Sequence, residues 1–208
     1  MAITNALGRP KDQTKRNAIV NAARGLFFTH GFAATTLEAV AEAANVSKVT
    51  VYGHFGDKAG VFEAVVQAIA SRIEAGFAVE SAPEADLAGT LMAFGRALMH
   101  EIMSAEMMNF ERHMSGELVQ HPELARRFFE AGPGYMRAKL AKIIAEAHDR
   151  KQIKVDDPVI AANDLCGLWQ GFSRPEALFG VANAPSADEI HQRVAHGVTL
   201  FLKAYATS

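Results

Sequence analysis

Residues 35–55 read TTLEAVAEAANVSKVTVYGHF, and this stretch decides the fold. Leu37, Val40, Ala41 and Ala44 recur at helical spacing over barely two turns. Either Thr35, in a capping box with Glu38, or Thr36 starts this first helix. Asn45 tolerates turn geometry, Ser47 suits the cap of a second helix, and Val51 and Phe55 follow one turn apart before Gly56 breaks it. Helices this short need tertiary support. Burial of Leu37, Val40, Ala41, Val46, Val51 and Phe55 would set their crossing and leave Ser47, Lys48, Thr50, Tyr52 and His54 outward, groups suited to a major groove. On periodicity alone, an ordinary helical hairpin with a solvated polar face accounts for the pattern equally well.

Upstream, a helix is expected from Lys15, with Ile19, Ala22, Ala23, Leu26 and Phe27 as its buried stripe and His30-Gly31-Phe32 as its end. Residues 1–13, with Arg9 and Lys11, form a basic arm, read as a flexible one. Downstream, Asp57 caps a longer helix from Lys58 to about Val79, and Lys58 sits where helix amides and dipole favour a phosphate. Further helices are expected near 86–104, 105–118, 122–149, 158–179 and 187–206, with Gly132-Pro133-Gly134 kinking or dividing the third of these. No repeat and no strand alternation interrupts them. The expectation is an all-α chain with a three-helix head at 14–60 and a helical regulatory and dimerisation domain at 61–208.

Composition agrees with a packed core, since half of the 208 residues are hydrophobic. The net charge of −2 hides an asymmetry: residues 1–60 carry +3 and the remainder −5. A single cysteine, Cys166, rules out an internal disulfide framework. No signal-like segment and no membrane-length apolar run is seen, so a cytoplasmic protein without membrane attachment is expected. The histidines form no His-Glu-x-x-His motif and no glycine-rich phosphate loop occurs, so no enzyme activity, cofactor or metal is expected. The middle region is rich in Met and Phe, a composition compatible with an adaptable pocket or with an ordinary core. The apolar positions of the last two helices would close a monomeric core or face a partner.

The order Gly31-Phe32, Thr35-Thr36, Val40-Ala41, Ala44, Val46-Ser47-Lys48, Thr50-Val51-Tyr52, His54-Phe55, Lys58 and Phe62 closely resembles the DNA-binding domain of the TetR family of bacterial regulators. The resemblance implies a recognition helix at Ser47–Phe55, with Lys48, Val49 and Thr50 nearest base edges, and Tyr52, His54 and Lys58 on phosphates. Thr35 would position the first helix of the motif and reach phosphate, and Arg9 and Lys11 would approach the groove. Gly53 is unusual in such a helix, costing about 1 kcal/mol against alanine, and Val49 replaces a position often glycine or polar in the family.

The same resemblance implies a homodimer joined through Ile160, Leu168, Phe172, Val194, Val198, Phe201 and Leu202. The Met- and Phe-rich composition is read as a pocket for a small apolar or amphipathic effector, for which Phe94, Met103, Met107, Phe110 and Trp169 are the candidate walls and His100, Arg112 and His113 the candidate polar contacts. His121-Pro122-Glu123-Leu124, Arg126-Arg127-Phe128-Phe129, Asp164-Leu165 and Trp169 are similar to the AefR-type subgroup. The expected function is repression by occupancy of double-stranded operator DNA; a constitutive DNA-architectural protein is the alternative.

Overall fold

A computed structural model describes residues 10–81 and 86–207, with side chains from Asp12 onward. The regular secondary structure of the described residues is α-helical, in the order α1 (Pro10–Ala34), α2 (Leu37–Ala43), α3 (Lys48–Phe55), α4 (Lys58–Glu80), α5 (Leu87–Ile102), α6 (Ala105–Gln120), α7 (Pro122–Ala131), α8 (Pro133–Asp149), α9 (Pro158–Gln170), α10 (Ser173–Leu178) and α11 (Ala187–Ala204). None of these helices is long and apolar enough to cross a membrane.

The first helix starts at Pro10 rather than Lys15, proline being well suited to a first turn. Residues 10–13, assigned from sequence to a flexible arm, are therefore helical, while Arg9 lies outside the described residues. Ile19, Ala23 and Phe27 are fully buried on one face of α1. Gly31 then takes φ 80° and ψ 173°, a left-handed value that interrupts the helix and folds Phe32 back to stack on Phe27 at 5.7 Å. The expected 122–149 helix divides at Gly132, and the expected 158–179 helix divides at Gly171.

Two apolar cores result. One joins α1, α2, α3 and the first half of α4, and receives Met107, Phe110 and Met114 from α6 and Leu124 from α7. The head is thus not closed by residues 14–60 alone. The other gathers the second half of α4 with α5, α8, α9 and α11 around Trp169. A Cβ on Gly95 or Gly197 would lie 2.8 Å from the indole, so these two glycines let α5 and α11 close onto α9. α4 contributes to both cores and links them.

Candidate nucleic-acid interface and regulatory cavity

Thr36, in extended conformation, caps α2 by accepting from the Ala39 amide at 3.1 Å. The expected capping role of Thr35 is therefore corrected. Its hydroxyl donates to the Gly31 carbonyl at 2.8 Å and the residue is 2% exposed, so it braces the turn from inside. Ser47 caps α3: its hydroxyl accepts from the Thr50 amide at 3.2 Å and pairs with the Thr50 hydroxyl at 2.8 Å. Val51 is fully buried and fixes α3 in the head core.

On the outer side of α3, Lys48, Val49, Tyr52 and Gly53 fall at i, i+1, i+4 and i+5, a single exposed face. Val49 is 80% exposed and Tyr52 45%, while no atom approaches a Cβ placed on Gly53. Lys48 forms an ion pair with Glu38 of α2, and its ammonium lies 5.5 Å from the Tyr52 ring. Their mutual hydrogen bond holds the Glu38 carboxyl below its usual pKa and raises that of Lys48.

The other expected DNA contacts are placed differently. His54 turns toward α1, its Nε2 3.1 Å from an Asp12 carboxylate oxygen. Lys58, expected to await a phosphate, is folded inward. Its ammonium donates to the carbonyls of Phe32, Ala33 and Thr35 at 2.8, 3.2 and 3.0 Å and lies 4.4 Å from the Phe32 ring. Desolvation by this packing lowers its pKa. The Lys11 side chain falls outside the described residues.

Sequence reading missed the partner of this clamp. Glu117 of α6 accepts from the Ala33 amide at 2.8 Å, so the end of α1 is held by α4 on one side and α6 on the other. Arg24 of α1 pairs with Glu106 of α6, and Phe28 stacks on Phe110 at 4.5 Å. Glu106, Phe110 and Glu117 lie far along the chain from α1, and no local spacing announces their pairing.

A cavity of about 180 Å³ opens between α4, α5, α6 and the α8–α10 segment. Ile69, Ile73, Leu98, Met107 and Met136 supply apolar wall; Glu111, Arg137, Cys166, Gln170 and Arg174 bring polar atoms. Arg174 forms an ion pair with Glu111 and donates to the Ile102 carbonyl at 3.0 Å. Burial pushes the Cys166 thiol up to about 11.

Of the eight expected effector residues, only Met107 lines this cavity. Phe94, Met103, Phe110 and Trp169 are buried packing residues, Phe94 bordering a separate hollow beside Phe77. His100, Arg112 and His113 are exposed. Arg112 instead ties α6 to α10, donating to the carbonyls of Ala177 and Leu178 at 2.7 and 2.6 Å, and His113 Nδ1 lies 2.7 Å from the Asn109 carbonyl.

The expected dimer stripe also divides. Val194, Val198 and Phe201 face the protomer's own core and are corrected to packing roles. Ile160 and Phe172 are 57% and 82% exposed, and Leu168 and Leu202 are half-buried. Leu168, Gly167, His196 and Leu200 line a groove between α9 and α11.

Residues 19–65 match the family model described as bacterial regulatory proteins, tetR family, and residues 89–207 match that of the AefR-like transcriptional repressor C-terminal domain. A TetR-family transcriptional regulator from Mesorhizobium loti superposes with a TM-score of 0.79 at 30% identity, covering 96% of this chain and 100% of that one. The flavonoid-responsive regulator FrrA superposes at 0.73 with 32% identity, covering 91% and 96%. Among curated relatives, the regulator UidR of Escherichia coli is 33% identical over 106 residues, 47% of this chain and 54% of UidR. The uncharacterized regulator YdeS of Bacillus subtilis is 44% identical over 54 residues, 26% of this chain and 27% of YdeS. The chain therefore spans about half or less of the length of these curated relatives.

Proposed function

The chain belongs to the TetR family of bacterial regulators, with an AefR-like C-terminal domain, and is a DNA-binding transcription regulator rather than an enzyme; from this we propose that it acts in the cytoplasm as a homodimeric repressor released from operator DNA by a small apolar or amphipathic effector. The observation that carries the proposal is the α3 face of Lys48, Val49, Tyr52 and Gly53. It is the side of the motif left outward once Ser47, Thr50, His54 and Lys58 are engaged within the head.

In this reading Lys48 exchanges Glu38 for DNA, and the Val49 methyls meet a thymine methyl in the major groove. Tyr52 donates to a phosphate, and Gly53 admits the sugar-phosphate backbone closely. Ser47 and Thr50 lie at the groove edge, where Thr50 reaches a base by releasing Ser47; His54, Arg9 and Lys11 add to the phosphate contacts. Two heads on one duplex would be set by pairing of the α9 and α11 faces through Ile160, Leu168, Phe172 and Leu202. The effector would occupy the cavity beside α4 and α6, helices that both reach the head core and thus bias head separation.

The test is selection of bound duplexes from a random DNA pool with the purified protein. A paired, two-fold related motif is expected, and Val49→Ala should relax one position in each half-site while leaving the rest of the motif intact. The absence of any enriched motif would overturn sequence-specific repression.

A further inference from the structure

Taking the cavity as the effector site of the proposed regulator, we infer that it accepts a ring-sized apolar compound carrying one anionic group, a carboxylate or phenolate, seated on Arg137. Size sets the first constraint. The cavity holds about 180 Å³, little more than the roughly 150 Å³ that suffices for benzene in a dry protein cavity. One aromatic ring with a short substituent matches this space, whereas a long acyl chain would have to project through the open mouth of the cavity.

Charge sets the second. Arg174 and Glu111 neutralise each other within the lining, and the remaining hydrogen bond of Arg174 goes to the Ile102 carbonyl. Arg137 has no ion pair or hydrogen bond among the described residues; it lies only over the Phe129 ring at 5.3 Å. The Gln170 side-chain amide, on the same lining, likewise makes no hydrogen bond among the described residues. Cys166, on the same lining, remains a neutral thiol. The lining thus carries one uncompensated positive charge beside an apolar wall. A half-buried arginine without a counterion beside an apolar wall favours an anion, and a bound carboxylate or phenolate would pair with it through charge-assisted hydrogen bonds. Glu111 disfavours a second negative charge, and Arg137 disfavours a cation.

The experiment is calorimetric titration of the full-length protein with matched pairs: benzoate and benzamide, phenylacetate and phenylacetamide, 3-phenylpropionate and 3-phenylpropanamide, together with phenol and decanoate. At least one ring acid should bind about tenfold or more tightly than its amide and more tightly than decanoate. Arg137→Met, at a half-exposed position that tolerates the change, should remove that advantage without altering amide affinity, and Arg137→Lys should restore part of it. Ile102→Trp, which fills the cavity from a half-buried position, should abolish binding of both members. Amides binding as well as acids, acid binding unaffected by Arg137→Met, acid binding surviving Ile102→Trp, or no ring acid binding would each overturn the inference. Neutral rings that bind and release operator DNA while acids do not would sink the anion assignment yet leave the effector-responsive reading standing. The DNA selection tests the repressor reading independently of either.

Discussion

The Lys58 ammonium lies 3.0 Å from the carbonyl oxygen of Thr35, so the first residue of α4 closes the turn that launches the helix-turn-helix. Together with the bonds to Phe32 and Ala33, this contact satisfies carbonyls that the interruption at Gly31 leaves outside the α1 ladder. The contact ties the first turn of α4 to the entrance of α2.

Replacing Lys58 with Met keeps the hydrocarbon stem and removes the clamp. A loss of about 1.5–2 kcal/mol in unfolding free energy is expected, the lower part of the range for hydrogen bonds to a charged donor, because the site is partly hydrated. DNA affinity should fall with no change in its salt dependence, since the ammonium faces carbonyls. A phosphate contact would reduce the slope of log K against log salt by about 0.9 for each lysine removed. Parallel urea titrations and binding isotherms at several salt concentrations distinguish the two.

Gly31 tests the other side of the same joint. A Cβ there would lie 2.6 Å from Glu117 Oε1 and would occupy a φ of 80°. Gly31→Ala should destabilise by about 1–3 kcal/mol from the left-handed backbone and the contact together. Glu117→Ala alone should cost about 1 kcal/mol through the Ala33 amide. The double variant should lose less than the sum, because the contact term disappears with Glu117 while the φ strain remains. Strict additivity would place Glu117 away from the joint.

Local chemistry made the head legible in sequence. Leu37, Val40 and Ala41, the Ser47 cap, the Gly31 stop and the Asp57 cap are set by spacing and side-chain type over a few residues, and each occupies its expected place. The divisions at Gly132 and Gly171 were half legible: the Gly-Pro-Gly run announced a break, whereas Gly171 resembled any helix glycine. What the sequence withheld was direction. Phe94, Trp169 and Val198 have the composition of a pocket or an interface, but a helix surrounded by others buries more than one stripe, and periodicity does not say which stripe meets which neighbour. The cavity lining and the Lys58–Glu117 clamp depend on pairings between residues tens of positions apart, for which spacing offers no signal.

Cys166 reports on the cavity because burial raises its thiol from 9.0 to about 11. At pH 8 the folded protein should hold about one hundredth of the thiolate of the unfolded chain, so iodoacetamide should react about a hundredfold more slowly before denaturation than after. The native rate should keep climbing past pH 9 toward 11. The thiolate is disfavoured only in the folded state, so this contribution to stability is intact below pH 9 and is lost as pH rises from 9 through 11. Cys166→Ser should remove that segment of the pH profile. A native labelling rate that levels off near pH 9 would contradict the burial of the thiol.

If the protomers pair through the exposed faces of α9 and α11 as proposed, the division of the C-terminal stripe makes association and folding separable by mutation. Phe172, at 82% exposure, and Ile160, at 57%, lose little protomer packing when replaced. Ile160→Asp and Phe172→Asp should therefore shift the particle from dimer to monomer in light scattering, with near-native helicity, because a charge within an apolar interface is strongly penalised. Val194 is fully buried against the core around Trp169, so Val194→Ala should lower unfolding free energy by about 1–3 kcal/mol while the dimer persists. The two sets must be compared at equal protein concentration, since dimerisation itself stabilises by mass action. If Val194→Ala dissociated the particle and Phe172→Asp and Ile160→Asp left it dimeric, the association face would have to lie elsewhere than on the exposed surfaces of α9 and α11.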